Sequence, residues 1–318
     1  MPLGRSSIRF PLLVALLLCG PAAAQTPDTG DLPALRERAL ELVNRERRER
    51  DLEPLRLEDR LDEAAQAHAE DMLARDFFAH ESPEGDTVQD RYREAGGSRW
   101  RLVAENIARC RGCPAPPTPE DVERNHRGWM DSPGHRENIL REGLSHFGFG
   151  IAVRDGNEFA VQTFSGPGRP RGLQPGEQAE ALAPDEHTSQ AVRLINRARE
   201  RQGAPALEAS DALATAAQRL APETDVAEFD LGRAGDPLDA IPSGERVRWR
   251  SVTVLAAACG GCGAEPTVAD VRAFREQWLD DPGQRGRLLD PDLTHLGFRL
   301  AADGEGAKVA IAILGSAR

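Results

Sequence analysis

Apolar residues fall at helical spacing over 33–50, at Leu35, Ala39, Leu42 and Val43, and predict a first helix. The stretch 191–202 repeats it, with Leu194-Ile195-Asn196-Arg197 matching Leu42-Val43-Asn44-Arg45. A second helix is predicted over 58–75, matched by 211–220. Thr118-Pro119-Glu120-Asp121 reads as an N-cap, a proline at the first helical position and an acidic first turn. Its counterpart is Thr267-Val268-Ala269-Asp270, and short fourth helices follow Ser132-Pro133 and Asp281-Pro282. Two β-rich runs, 147–153 and 159–164, flank Asp155-Gly156 and predict a hairpin; 296–301 and 308–314 do the same around Asp303-Gly304. Helices packed around a short antiparallel sheet make an α+β layered domain, present twice. The stretch 165–186 is rich in Gly, Pro, Gln and Ala and lacks an apolar period, which predicts a flexible, partly extended linker at about 167–188.

The duplication is explicit in the residues. Trp100, Cys110, Trp129 and His146 recur as Trp249, Cys259, Trp278 and His295, at a constant offset of 149. A repeat this long is a duplicated domain rather than a solenoid unit. At 318 residues, two domains of about 150 residues can each bury a core. The repeats are placed at 33–166 and 189–318. Their differences serve as an internal control: Glu105 aligns with Val254, His135 with Gln284, and His80, through a short gap, with the neighbourhood of Asp230.

Arg5 and Arg9, the apolar run 12–19 and Ala22-Ala23-Ala24 read as an export signal spanning 1–24, too short to span a membrane. Its removal takes the formal charge from −12 to −14 by deleting two arginines. An acidic exported chain with no basic stripe is a poor binder of nucleic acid or anionic membranes. The expected location is periplasmic or extracellular, with no transmembrane segment in the mature chain. Four of the five cysteines remain, in two Cys-x-x-Cys pairs. In an oxidising compartment these read as local disulfides, Cys110–Cys113 and Cys259–Cys262. A redox pair at a helix N-terminus and a shared four-cysteine zinc site are the other readings.

Three segments of the first repeat carry the candidate chemistry: Phe77-Phe78-Ala79-His80-Glu81-Ser82-Pro83, Ala104-Glu105-Asn106-Ile107-Ala108, and Trp129-Met130-Asp131-Ser132-Pro133-Gly134-His135 through Leu140. With Phe147-Gly148-Phe149-Gly150 they closely resemble the bacterial SCP-like branch of the CAP superfamily, the relatives of cysteine-rich secretory, antigen 5 and pathogenesis-related proteins. The resemblance covers roughly 35–165, and the second repeat is a degenerate copy. It implies tandem α-β-α sandwich domains with an open cleft lined by two histidines and acidic residues that can hold a divalent metal. Carried over, the metal residues are His80, Glu105 and His135. Many eukaryotic members place a second glutamate where this chain has Ser132, beside Asp131, so a fourth ligand is absent or replaced.

Two imidazoles and a carboxylate with an open position suit Zn²⁺. No His-Glu-x-x-His helix is present. The plainer alternative is that these residues only hold loops together by hydrogen bonds. Ser132 is expected to cap the helix carrying His135, and Asp281 its counterpart, with Gln284 completing a capping box. Because the copy keeps its scaffold without them, His80, Glu105 and His135 are expected to be dispensable for folding. Glu105→Val should then cost no more than about 2 kcal/mol. His68 is read as partly buried and cleft-lining, alongside Ser82, Asp131 and Ser132; His126 as solvent-facing; His146, kept as His295, as structural. A Ser-His-Glu hydrolase through Ser82 or Ser132 lacks the strained nucleophile turn. The leading expectation is a non-enzymatic binding protein for a small molecule, lipid or sterol, peptide or envelope polymer. A metal-dependent hydrolase and a structural envelope protein are the rivals.

Overall fold

A computed structural model describes residues 26–222, 226–230 and 236–318; the predicted leader lies outside the described residues. The first repeat runs α1 (Leu32–Arg48), β1 (Arg56–Leu57), α2 (Asp59–Arg75), α3 (Val88–Glu94), β2 (Leu102–Arg111), α4 (Pro119–Asp131), α5 (Pro133–Ile139), β3 (His146–Arg154) and β4 (Asn157–Gly166). The second runs α6 (His187–Arg201), β5 (Glu208–Ala209), α7 (Asp211–Leu220), α8 (Pro237–Ala240), β6 (Trp249–Cys259), α9 (Val268–Asp280), α10 (Pro282–Leu288), β7 (His295–Ala302) and β8 (Lys308–Ala317). The sheet orders are β1-β3-β4-β2 and β5-β7-β8-β6. In each, the central hairpin is antiparallel and the short first strand pairs parallel to its neighbour. This is the expected mixed α+β architecture in tandem.

Helices cover both faces of each sheet. In the first repeat, α1 and α4 supply Leu35, Leu42, Val122 and Trp129 to one core against Phe147, Phe149 and Phe164. Ala65, Ala69 and Met72 of α2 form the other, against Ile107, Phe159 and Val161. The glycines of Phe147-Gly148-Phe149-Gly150 let α2 lie directly on β3. A Cβ on Gly148 would stand 2.3 Å from the Leu61 carbonyl carbon, and one on Gly150 2.4 Å from the Gln66 nitrogen. Side chains there would push the helix off the sheet.

Residues that repeat without carrying chemistry hold the scaffold. Arg47 is buried and donates to the carbonyls of Glu53, Ile139 and Arg141. Arg199 does the same for Pro205, Leu288 and Asp290. Each guanidinium ties the first helix of its domain to the loop after the short fourth helix, satisfying carbonyls that burial would otherwise orphan.

Three expectations are corrected. The linker is docked rather than loose: Leu182 is buried in the second core, Gly168 bridges Cys262, Ala181 bridges Thr267, and Arg272 donates to the Gly172 carbonyl and Glu177. A strap held by backbone bonds and one apolar anchor needs no apolar period. Ser132 stands at the N-cap of α5 but its side chain makes no capping bond. Asp281, one atom longer, reaches the Gln284 N–H at 2.8 Å, while the buried Gln284 Oε1 makes no bond, so the capping box is not completed. His126 is 2% exposed, 3.8 Å from Glu46 between α4 and α1. It lies four residues after Val122 and three before Trp129, on the apolar stripe of α4, which its charged neighbours disguise.

The domains meet through Trp100, which packs on the second repeat's core instead of its own. Its carbonyl accepts from Gly261 N–H at 2.6 Å, inside the Cys259–Cys262 loop. Both expected disulfides are formed, each joining the end of a strand, β2 or β6, to the loop that follows it rather than sitting at a helix N-terminus.

Candidate functional site: a histidine–glutamate cleft in the first domain

The centre of the cleft is Glu105, on β2, with its side chain 2% exposed. Its Oε1 lies 2.8 Å from His80 Nδ1, and its Oε2 accepts from Arg91 Nη2 at 2.7 Å. His68, fully buried on α2, holds the Ala79 carbonyl 3.0 Å from Nε2 and sits 4.0 Å from Glu105 Oε1. Arg91 also donates to the carbonyls of His80 and Asp86 and so fixes the loop that carries His80.

His135 comes from α5, which two asparagines tie to β2. Asn106 Nδ2 donates to the His135 carbonyl at 3.1 Å and to Gln162 Oε1 at 3.2 Å; Asn138 Nδ2 donates to the Glu105 carbonyl and Asn106 Oδ1, both at 3.0 Å. Trp129 Nε1 closes the set on the Ile107 carbonyl at 3.0 Å. The Glu-Asn-Ile triplets around Glu105 and Asn138 are thus the device that sets α5 beside the central carboxylate.

The electrostatics separate the three rings. The Glu105 hydrogen bond holds the His80 imidazole above its ordinary pKa, against partial burial. Burial pushes His68 down, only partly offset by Glu105. Burial, then the charge on His80, pushes His135 down. With Nδ1 of the half-exposed His80 bound to Glu105, its Nε2 is directed away from the carboxylate.

The structure therefore brings His68, His80 and Glu105 together, with His135 alongside. Ser82 lines a cavity with His68 and Arg91 and closes a turn with Asp86, its Oγ 3.1 Å from Asp86 Oδ2 and 3.0 Å from Asp86 N. Asp131 is exposed at the end of α4. Among the described residues no three or more His, Cys, Asp or Glu side chains are grouped to hold a metal. The donor set explains this: Arg91 and His80 occupy one oxygen each of Glu105, leaving two imidazoles as the free ligands. Sequence reasoning missed Arg91, Asn106, Asn138 and Gln162. The signal for Arg91 was the Thr87/Asp90 capping box that starts α3.

Among the described residues the second domain lacks the groups that build this site. Glu105, Asn106, His135, Asn138 and Gln162 are replaced by Val254, Leu255, Gln284, Arg287 and Ala312 at matching positions of sequence and strand register.

The family model of the cysteine-rich secretory protein family, CAP, matches residues 40–164 and again 192–314. The uncharacterized protein YkwD of Bacillus subtilis is 33% identical over 147 residues, covering 45% of this chain and 53% of that protein. This chain thus spans about half the length of that relative. An extracellular SCP-domain protein from Bacillus anthracis is similar at 29% identity and TM-score 0.34, over 42% of this chain and 40% of that one. Na-ASP-1 is similar over 93% of this chain and 92% of its own, at 9% identity and TM-score 0.39. No helix among the described residues is long and apolar enough to cross a membrane.

Proposed function

Both halves of this chain belong to the cysteine-rich secretory protein (CAP) family, and from that premise we propose an exported binding protein whose first domain holds the working cleft and whose second domain supports it. The observation that carries this reading is the asymmetry of the duplication. The first repeat keeps a buried carboxylate bonded to an imidazole and a guanidinium, an arrangement costly to desolvate. The second folds the same way with apolar residues on the matching strand. A buried charged cluster that the duplicate fold does without, kept at a desolvation cost, is the mark of a functional site.

His80, through Nε2, and His135 are the residues that would hold a divalent cation such as Zn²⁺. Glu105 then serves from behind His80, fixing its tautomer and raising its basicity, rather than as a third ligand. A cation held there would act as a Lewis acid toward a carbonyl or phosphoryl oxygen. The ligand entering the cleft is a small molecule, lipid or peptide, and the protein works in the periplasm or outside the cell. The His80–Glu105 hydrogen bond, which would strengthen His80 as a ligand, also favours a second reading, a metal-dependent hydrolase in which a cation held at the same site would activate a water.

Metal analysis of the full-length mature protein after dialysis tests the cleft. Stoichiometric zinc is expected, and protein that neither retains nor rebinds zinc contradicts the metal reading. Hydrolysis of model esters or peptides, lost on chelation, would decide for the hydrolase.

A further inference from the structure

Beside the His80–Glu105 cleft runs a second groove, between β2 and α4, of about 550 Å³. Arg109, Arg111 and Arg124 line it, with Trp129 on its floor and His135 at the end nearest the cleft. No carboxylate lines it, in a chain whose formal charge is −12. Four other cavities each carry at least two carboxylates. Arg109 lies over the rings of Phe78 and Phe159, 5.5 and 6.0 Å from their centroids. Arg111 is exposed, and among the described residues neither it nor Arg109 makes an ion pair with an acidic side chain. Arg124 is held from behind by Asp121 and by the buried Glu158.

The groove also has a backbone wall. β2 is the edge strand of its sheet. The Glu105 and Ile107 carbonyls point away from β4, since Asn138 and Trp129 donate to them. In an antiparallel ladder this alternation places the Arg109 N–H and carbonyl on the same outer side, past the last helix side chain that caps the edge. An edge strand with open donors and acceptors is a template for another strand.

The internal copy shows that folding does not need these cations. Arg109, Arg111, Arg124 and His135 align with Ala258, Gly260, Ala273 and Gln284, so the second domain has lost every positive or titratable group of the groove. The Trp278 Nε1, counterpart of the Trp129 nitrogen that braces β2, is buried without a partner.

We propose that this groove binds an extended acidic peptide, added as a strand along the free edge of β2 at Arg109–Arg111. The arginines would meet its acidic side chains, and its leading end would reach His135 at the mouth of the cleft. Backbone pairing supplies affinity in such a mode and the flanking cations supply selectivity. The open strand edge is what favours a peptide over a polyanion without backbone donors. The inference stands apart from the metal reading, because neither arginine touches His80 or Glu105.

The test is fluorescence anisotropy on the full-length protein with a labelled octapeptide of alternating glutamate and valine, in the presence of a chelator. Saturable binding that weakens with salt is expected. Arg109→Ala with Arg111→Gly, the residues of the copy, should weaken it at least about tenfold, and lysine at both positions should largely restore it. N-methylation of alternate peptide nitrogens should abolish binding of the same charge. Absence of binding, equal binding by the paired variant with an unchanged melting temperature, or indifference to N-methylation would overturn the proposal. So would polyphosphate or anionic vesicles displacing the peptide and binding more tightly than it does.

Discussion

Replacing Glu105 by valine should destabilise the first domain by about 3–5 kcal/mol, because it removes one partner of a buried charge pair and leaves the other. Arg91 is 10% exposed, and among the described residues its one ion-pair partner is Glu105, 2.7 Å away. Its Nε already lacks a hydrogen-bond partner. The duplicated sequence suggested the opposite, since Val254 is tolerated at the matching position. Val254, however, packs among apolar residues of the second core. Arg91→Leu combined with Glu105→Val should therefore recover much of the loss, and Glu105→Gln should cost less than Glu105→Val. Urea unfolding of the three variants measures the coupling; a single-valine loss under about 1 kcal/mol would contradict the pairing.

An effect of the same size, about 3–5 kcal/mol, is expected for Lys308→Met in the second domain. Lys308 Nζ lies 2.6 Å from Asp270 Oδ2, with both side chains at most 1% exposed, and also donates to the Glu265 carbonyl. Burial pushes the lysine below its ordinary pKa, while Asp270 holds the ammonium. In strand register Lys308 stands where the first domain has Glu158, itself buried and bound by Arg124 and Asn125. Arg124 and Asn125 have become Ala273 and Phe274, so one copy inverted the charge of the strand residue and dropped the matching cation. Asp270 also caps α9 through Thr267 and cannot simply move away. Lys308→Met should lower the second domain's unfolding midpoint. Lys308→Glu, the first domain's own residue, should lower it further by burying two carboxylates together. Equal stability of Lys308→Met and the parent protein would contradict the account.

Much of this was legible in the residues. The helices began at their N-cap and proline signals, the hairpins closed on Asp-Gly, and the matched tryptophans and cysteines disclosed the duplication. His80 and Glu105 were legible as partners because their loss in the copy left the scaffold standing. Arg91 was not, because its helix is only seven residues long and its pairing with β2 is set by the tertiary path of one loop. His126 was misplaced because charged neighbours hid an apolar stripe. The linker's docking rests on backbone bridges and a single leucine, which leave no periodic trace. Trp100 looked like its twin Trp249, yet one packs across the domain boundary and the other in its own domain, against His295.

The isolated first domain is for that reason the wrong object for a binding experiment, since it would bare Trp100. The central claim, that the first cleft works and the second is scaffold, is tested most directly by zinc calorimetry on the full-length protein. The parent chain and the variants His80→Gln and His135→Gln would be titrated with disulfides intact and melting temperatures recorded. The account predicts a single site in the parent, lost in either variant, with little change in melting for His135→Gln, since among the described residues neither ring nitrogen of His135 holds the scaffold. Zinc binding that persists in the double variant, or that follows residues of the second domain, would contradict it.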